Sequence, residues 1–125
     1  MPLEAIAWPD IAPPVGPFSS AVRAGEFVFL SGLIGQDPKT GKLVSADVSA
    51  QTEQILKNLG AVLRASGKTF ADVVRVGVYL TNMADFAAMN AVYARHFEAP
   101  YPARTTIGVA ALHLGACVEI DFVAR

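Results

Sequence analysis

Cysteine, long hydrophobic runs and clusters of basic residues are scarce or absent in this 125-residue sequence. The one cysteine, Cys117, excludes an internal disulfide and a cysteine-rich zinc site. No run approaches the roughly 18–20 apolar residues that span a bilayer, so we expect no membrane segment. Ten lysines and arginines against eleven acidic residues give a net charge of −1. Without a basic stripe, a nucleic-acid partner has no support from composition.

Motifs for phosphate, metal and triad chemistry are also missing. The sequence contains neither a Walker motif nor a Gly-x-Gly-x-x-Gly after a strand. His96 and His113 are isolated, so we expect no metal site. Ser31 has no evident histidine and aspartate partners for a hydrolase triad. The first residues do not resemble a signal peptide, so we expect a reducing, cytoplasmic setting.

Apolar residues are abundant for so short a chain. They make up 53% of the sequence, charged residues make up 17%, and the mean hydropathy is +0.40. A small domain has a large surface that normally carries more charge. The length suits a single domain over residues 1–125, and we expect the excess apolar surface to be buried between subunits.

Hydrophobic periodicity predicts the order β-β-β-α-β-α-β-β, with both helices on one face of one sheet. A long helix is predicted from the N-cap Asp47 to about Ser66, with Gly67 closing it. A second helix follows Asn82 or Asp85. Strands are predicted over 3–8, 18–23, 26–33 and 73–80, and as a terminal pair within 102–121. The second glycine of the segment Ser31-Gly32 marks a bulge, a close approach to the backbone, or simple packing.

The terminal pair carries the most suggestive chemistry. As an antiparallel hairpin turning near Leu112, it would bring Arg104 and Glu119 roughly across from each other. An arginine fork suits a small carboxylate ligand, and a glutamate beside it can handle a proton or a water. The alternative is a cross-strand ion pair that contributes about 0.2–1 kcal/mol.

Several segments together resemble the RidA/YjgF family of reactive-intermediate deaminases, over about residues 13 to 123. The resemblance implies an α+β, chorismate-mutase-like fold, a homotrimer with ligand clefts between subunits, and no cofactor. It also implies hydrolysis of imines and enamines such as 2-aminoacrylate to 2-keto acids and ammonia. The segments are Gly-Pro-Phe-Ser (16–19), Leu-Ser-Gly-Leu-Ile-Gly (30–35), Asp-Pro-Lys-Thr-Gly (37–41), Asp-Phe-Ala-Ala-Met-Asn-Ala-Val-Tyr (85–93), Pro-Ala-Arg (102–104) and Val-Glu-Ile (118–120).

The resemblance also implies roles for individual residues. Arg104 falls on the arginine that holds the substrate carboxylate, and Glu119 falls on the glutamate associated with the attacking water. Gly32 falls where backbone groups line the cleft, and Ser31 and Asn90 occupy nearby positions of the pattern. The implied ligand is therefore a small imine, enamine or keto acid that carries a carboxylate.

Two substrate-binding positions depart from the family pattern. Phe18 stands where the deaminases often have tyrosine, and Thr106 stands where they often have cysteine. Three alternatives stay open on these grounds. They are an aminomuconate-type deaminase of the same fold, a non-catalytic module that binds keto acids or metabolites, and the endoribonuclease activity sometimes attached to the family, which the net charge disfavours.

Overall fold

A computed structural model describes residues 3–8 and 16–125. In these residues the element order is the predicted one. The elements in chain order are β1 (Glu4–Ile6), β2 (Ala21–Ala24), β3 (Phe27–Leu33), α1 (Val48–Ala65), β4 (Val73–Leu80), α2 (Phe86–Tyr93), β5 (Ala103–Gly108) and β6 (Val118–Ala124). The six strands form one sheet in the order β1-β2-β3-β6-β4-β5.

The long helix α1 begins and ends where the sequence predicts. The Asp47 side chain accepts a hydrogen bond from the backbone N–H of Ala50 at 2.9 Å, which satisfies one of the free donors of the first turn. At the other end Gly67 has φ +76°, and the N–H of Lys68 donates to the carbonyl of Leu63 at 2.8 Å. This pattern terminates a helix by bonding its last carbonyls.

Both helices pack on one face of the sheet, and the hydrophobic core lies between them. The inward side chains of the central strands are buried, among them Val76, Val78, Ile120 and Phe122. The opposite face, which we call the open face, carries no helix. It presents exposed aromatic and aliphatic side chains, including Phe27, Phe29 and Ile107.

The predicted hairpin between the last two strands is wrong. β4 lies between them, and it pairs with β5 in parallel and with β6 in antiparallel fashion. The reason is the connection through α2, since a strand-helix-strand crossover returns the chain parallel to its starting strand. The long connection from 109 to 117 then carries the chain to the other edge of β4.

A β-bulge interrupts β3, as one reading of the Ser31-Gly32 pair predicts. Leu30 pairs with Phe122 and Leu33 pairs with Ile120. Two residues of β3 therefore oppose the single residue Asp121 between these pairs. An extra residue of this kind bends the strand and redirects the backbone.

Candidate active site

Arg104 lies on the helix-covered side of the edge strand β5. It pairs with Val76 of β4, whose side chain is fully buried against the core. The guanidinium carbon lies 4.7 Å from the ring centroid of Tyr93 and 5.6 Å from that of Phe86. Stacking on two aromatic rings of α2 fixes the plane of the guanidinium and leaves its donors free for a ligand.

A cleft of about 410 Å³ opens beside this arginine. Two predicted residues, Asn90 and Arg104, are brought together in its wall. The cleft is lined by Asn90, Tyr93, Ala94, Tyr101, Pro102 and Arg104. Burial raises the pKa of Tyr93, and the neighbouring positive charge of Arg104 partly offsets that rise. The cleft thus combines a cation with a neutral, largely apolar wall, which is an arrangement that suits a small organic anion.

Thr106 lies on the same side of β5 as Arg104. It pairs with the buried Val78. Its hydroxyl oxygen is buried and has no hydrogen-bond partner among residues 3–8 and 16–125. A buried hydroxyl without a partner is costly, so a ligand atom that bonds to it would be stabilised.

Glu119 lies on the open face of β6 and is half-buried. Its carboxylate lies over the backbone at Gly32, where a methyl group in place of the glycine hydrogen would come within 2.5 Å of Oε2. Burial raises the pKa of Glu119, the nearby Asp121 raises it further, and His113 partly lowers it. A glutamate with a raised pKa is a better base at neutral pH than an ordinary one.

The remaining two predicted residues lie near the bulge in β3. The hydroxyl of Ser31 donates to the carbonyl of Ser19 at 2.6 Å, so it holds the segment that follows Phe18. The N–H of Ser31 donates to the carbonyl of Ser20 at 2.9 Å. Phe18 itself is 59% exposed, and it is not part of the cleft wall around Arg104.

Arg104 and Glu119 do not lie across from each other, which corrects the expected juxtaposition. Their partners on β4 are Val76 and Tyr79, and these side chains point to opposite faces of the sheet. The structure therefore divides the predicted residues into two half-sites. The carboxylate half-site contains Arg104, Asn90 and Thr106, and the glutamate half-site contains Glu119 and Gly32.

The matches to known proteins fit this arrangement. Residues 10–125 match the family model described as Endoribonuclease L-PSP. The chain belongs to this family. The resemblance to the RidA/YjgF group is confirmed, because relatives in the L-PSP family bear the corresponding names.

Three relatives show how similar this L-PSP family member is to known proteins. Reactive Intermediate Deaminase A, chloroplastic, of Arabidopsis thaliana is 50% identical over 110 residues, which span 88% of this chain and 59% of the plant protein. The 2-iminobutanoate/2-iminopropanoate deaminase of Dermatophagoides farinae is 40% identical over 122 residues, 98% of this chain and 95% of that protein. The crystal structure of E. coli TdcF with bound serine has a TM-score of 0.89 and 34% identity over 97% of both chains. The predicted α+β fold class is confirmed.

Some residues of the L-PSP family site escaped the sequence analysis. Tyr93 and Phe86 had been assigned to the apolar stripe of α2, whereas both rings stack on Arg104. Gln51 had been left out of the helix stripe, yet it is buried and accepts a hydrogen bond from the N–H of Cys117 at 3.0 Å. A buried glutamine among apolar residues was the available signal, because such a group must find partners.

Two structural searches bear on the expected absences. Within residues 3–8 and 16–125, no group of three or more histidine, cysteine, aspartate or glutamate side chains is placed to hold a metal ion. In the same residues, no helix has both the length and the apolar character needed to cross a bilayer.

Proposed function

We propose that this protein hydrolyses small imines and enamines of the 2-aminoacrylate type to 2-keto acids and ammonia. One observation carries the proposal: a carboxylate-binding half-site and a proton-handling half-site lie on opposite faces of one sheet. Each half-site has part of the chemistry that the reaction needs. The names of the relatives, reactive intermediate deaminase and iminobutanoate deaminase, support the same reaction.

The carboxylate half-site binds and orients the substrate. The two-pronged Arg104 holds the carboxylate, and Tyr93 and Phe86 keep the guanidinium plane fixed while it does so. The neighbouring imine carbon is then placed in one position, which lowers the entropic part of the barrier. The Thr106 hydroxyl and the Asn90 amide are the polar groups available for the rest of the substrate.

The glutamate half-site activates the water. Glu119 takes a proton from a water as the water oxygen forms a bond to the imine carbon, and the electron pair of the carbon–nitrogen double bond moves to nitrogen. The proton held by Glu119 then passes to the nitrogen. Ammonia leaves as the carbonyl forms, and Glu119 returns to its carboxylate form.

A second copy of the chain has to bring the two half-sites together. The edge around β5 and the open face are different surfaces, so the contact between copies is head-to-tail and closes into a ring. A ring of three copies is the one that the family resemblance implies. Exposed apolar side chains on the open face, such as Phe29 at 45%, support burial of that face in the contact.

Mixed rings test this division of the site. Arg104→Ala and Glu119→Gln chains, each inactive alone, are co-expressed with different tags and purified through both. In a mixed ring of three, one of the three directed contacts pairs a native Arg104 with a native Glu119, so about one third of the wild-type rate returns. A doubly tagged ring made only of Arg104→Ala chains is the control. If mixed rings stay as inactive as this control, the two residues do not share a site.

Ammonia release tests the reaction itself. The substrate 2-aminoacrylate is made in situ by a serine dehydratase, and release is followed with and without the protein. We expect acceleration by wild type and none by Arg104→Ala. Equal rates with and without a correctly assembled wild-type protein would refute the proposed activity.

Longer enamines are a second class of substrate favoured by the size of the cleft. Its volume of about 410 Å³ and its aromatic wall at Tyr93 and Tyr101 exceed what a three-carbon imine fills. A six-carbon aminomuconate-type substrate would use that wall. A comparison of kcat/KM for the two substrates on the same preparation decides between them.

A further inference from the structure

A second carboxylate lies beside the proposed base on the open face. Asp121 is two residues from Glu119 on β6, so both side chains point to the same side. The partner of Glu119 across the strands is Tyr79, but the Tyr79 hydroxyl donates to Oδ2 of Asp121 at 2.8 Å. The N–H of Gly77 donates to Oδ1 of Asp121 at 3.0 Å. Both oxygens of Asp121 are therefore held by donors.

The two carboxylates have unequal surroundings. Donors to a carboxylate favour its charged form, and Asp121 has two of them. Among the described residues, no donor bonds to the carboxylate of Glu119, which is half-buried against Gly32. The fixed negative charge of Asp121 then acts on Glu119, and it contributes to the raised pKa of Glu119 after burial itself. Two neighbouring carboxylates in unlike environments titrate separately, and the less favoured one keeps the proton.

We propose that Tyr79 and Asp121 are positioning residues that direct the proton of this carboxylate pair to Glu119. The inference rests on the proposed function for its catalytic meaning, since it explains how Glu119 is kept a strong base. Asp121 stays ionised next to it and makes proton uptake from water more favourable. Tyr79 holds Asp121 in that state and orientation.

Other charged groups near Glu119 do not replace this pair. On β4 the open face also carries Arg75, which lies opposite Val123 and thus beyond Asp121. His113, in the turn before β6, acts in the opposite direction and lowers the pKa of Glu119. On β3 the neighbour is Gly32, and on β5 the open-face residues paired with β4 are uncharged.

Two measurements on the full-length protein test the assignment. Carboxyl ¹³C NMR follows the titration of Glu119 and Asp121 in wild type, Asp121→Asn and Tyr79→Phe. The pH profile of kcat/KM for imine hydrolysis follows the same step in catalysis. In wild type we expect Glu119 to bind a proton at higher pH than Asp121. In Asp121→Asn the Glu119 midpoint and the acidic limb of the rate profile both move to lower pH, and the plateau rate falls because the base is weaker.

The Tyr79→Phe variant separates positioning from simple packing. Loss of the donor is expected to raise the midpoint of Asp121, so the two titrations approach each other. Glu98→Gln removes one exposed negative charge at the end of α2 and controls for net charge. We take about 0.3 pH unit, a twofold change in proton binding, as the smallest shift that counts.

Each outcome is decisive for this inference. A Glu119 midpoint that is unchanged in Asp121→Asn, or an Asp121 that binds the first proton in wild type, overturns it. A lower plateau rate without any shift of the limb shows a structural role only and also overturns it. The NMR titration requires no turnover, so a protein that fails to hydrolyse imines but titrates as expected refutes the proposed function alone.

Discussion

Replacement of Gly32 by alanine tests the position of the glutamate carboxylate. The new Cβ would lie 2.5 Å from Oε2 of Glu119, whereas Cβ contacts in proteins do not fall below 3.0 Å. The carboxylate must therefore move by at least 0.5 Å. The atom it meets is the far end of a flexible side chain, and Gly32 does not have a positive φ, so the backbone accepts alanine. The perturbation thus displaces the base and leaves the fold in place.

The expected effects on rate and stability have different signs. A misplacement of about 1 Å in an active site can lower the rate by about 100-fold, so we expect kcat/KM to fall by about 10- to 100-fold. The free energy of unfolding should stay equal or rise by about 0.4–1 kcal/mol, because alanine restricts the unfolded chain. Steady-state imine hydrolysis and urea denaturation at one protein concentration measure the two quantities.

Two comparisons make the result interpretable. Gly108→Ala, whose Cβ would meet Met83 Cγ at an ordinary 3.4 Å, is the matched control and should retain activity. Adding Gly32→Ala to Glu119→Gln should lower the rate little further, since residues that act through one group are not additive. A Gly32→Ala protein that assembles normally and keeps full activity would refute the placement of the base beside Gly32.

Two further predictions concern ionisable groups. The raised pKa of Glu119 means that the folded chain binds this proton more tightly than the unfolded chain, so unfolding free energy should fall as pH rises from the ordinary glutamate range through the raised value. Glu119→Gln should lose that slope in urea unfolding at fixed protein concentration, and an identical slope would contradict the shift. Burial also raises the pKa of the Cys117 thiol, so its alkylation by iodoacetamide should be slower than that of a free cysteine at the same pH. Cys117→Ala should keep its rate of imine hydrolysis, and a lost rate in an intact assembly would implicate the thiol.

Local signals in the sequence predicted local structure well. The cap at Asp47, the closing Gly67 and the bulge at Ser31-Gly32 depend on residues close in the chain, whose backbone preferences act directly. The element order also follows from such signals. All of these predictions are confirmed by the fold.

Pairing between distant strands was beyond those signals. The alternation around Arg104 and Glu119 assigned each residue to one side of its own strand, but it did not say which strand lies beside which. The crossover through α2 placed β5 on the far side of β4, and that choice depends on packing of the whole sheet. The aromatic rings on Arg104 were missed for the same reason, since Tyr93 meets β5 only in the folded chain.

The separation of the two half-sites follows from backbone register and does not depend on side-chain conformers. Arg104 pairs with Val76 and Glu119 pairs with Tyr79, three positions apart on β4, and an odd separation places side chains on opposite faces. Only a one-residue slip of a strand would bring them to the same face, and it would turn buried side chains such as Val76 outward. A substrate that needs both residues therefore has to take one of them from another copy of the chain. The energetic origin of this requirement is the core itself, because the burial that fixes the register also fixes which face each functional residue occupies.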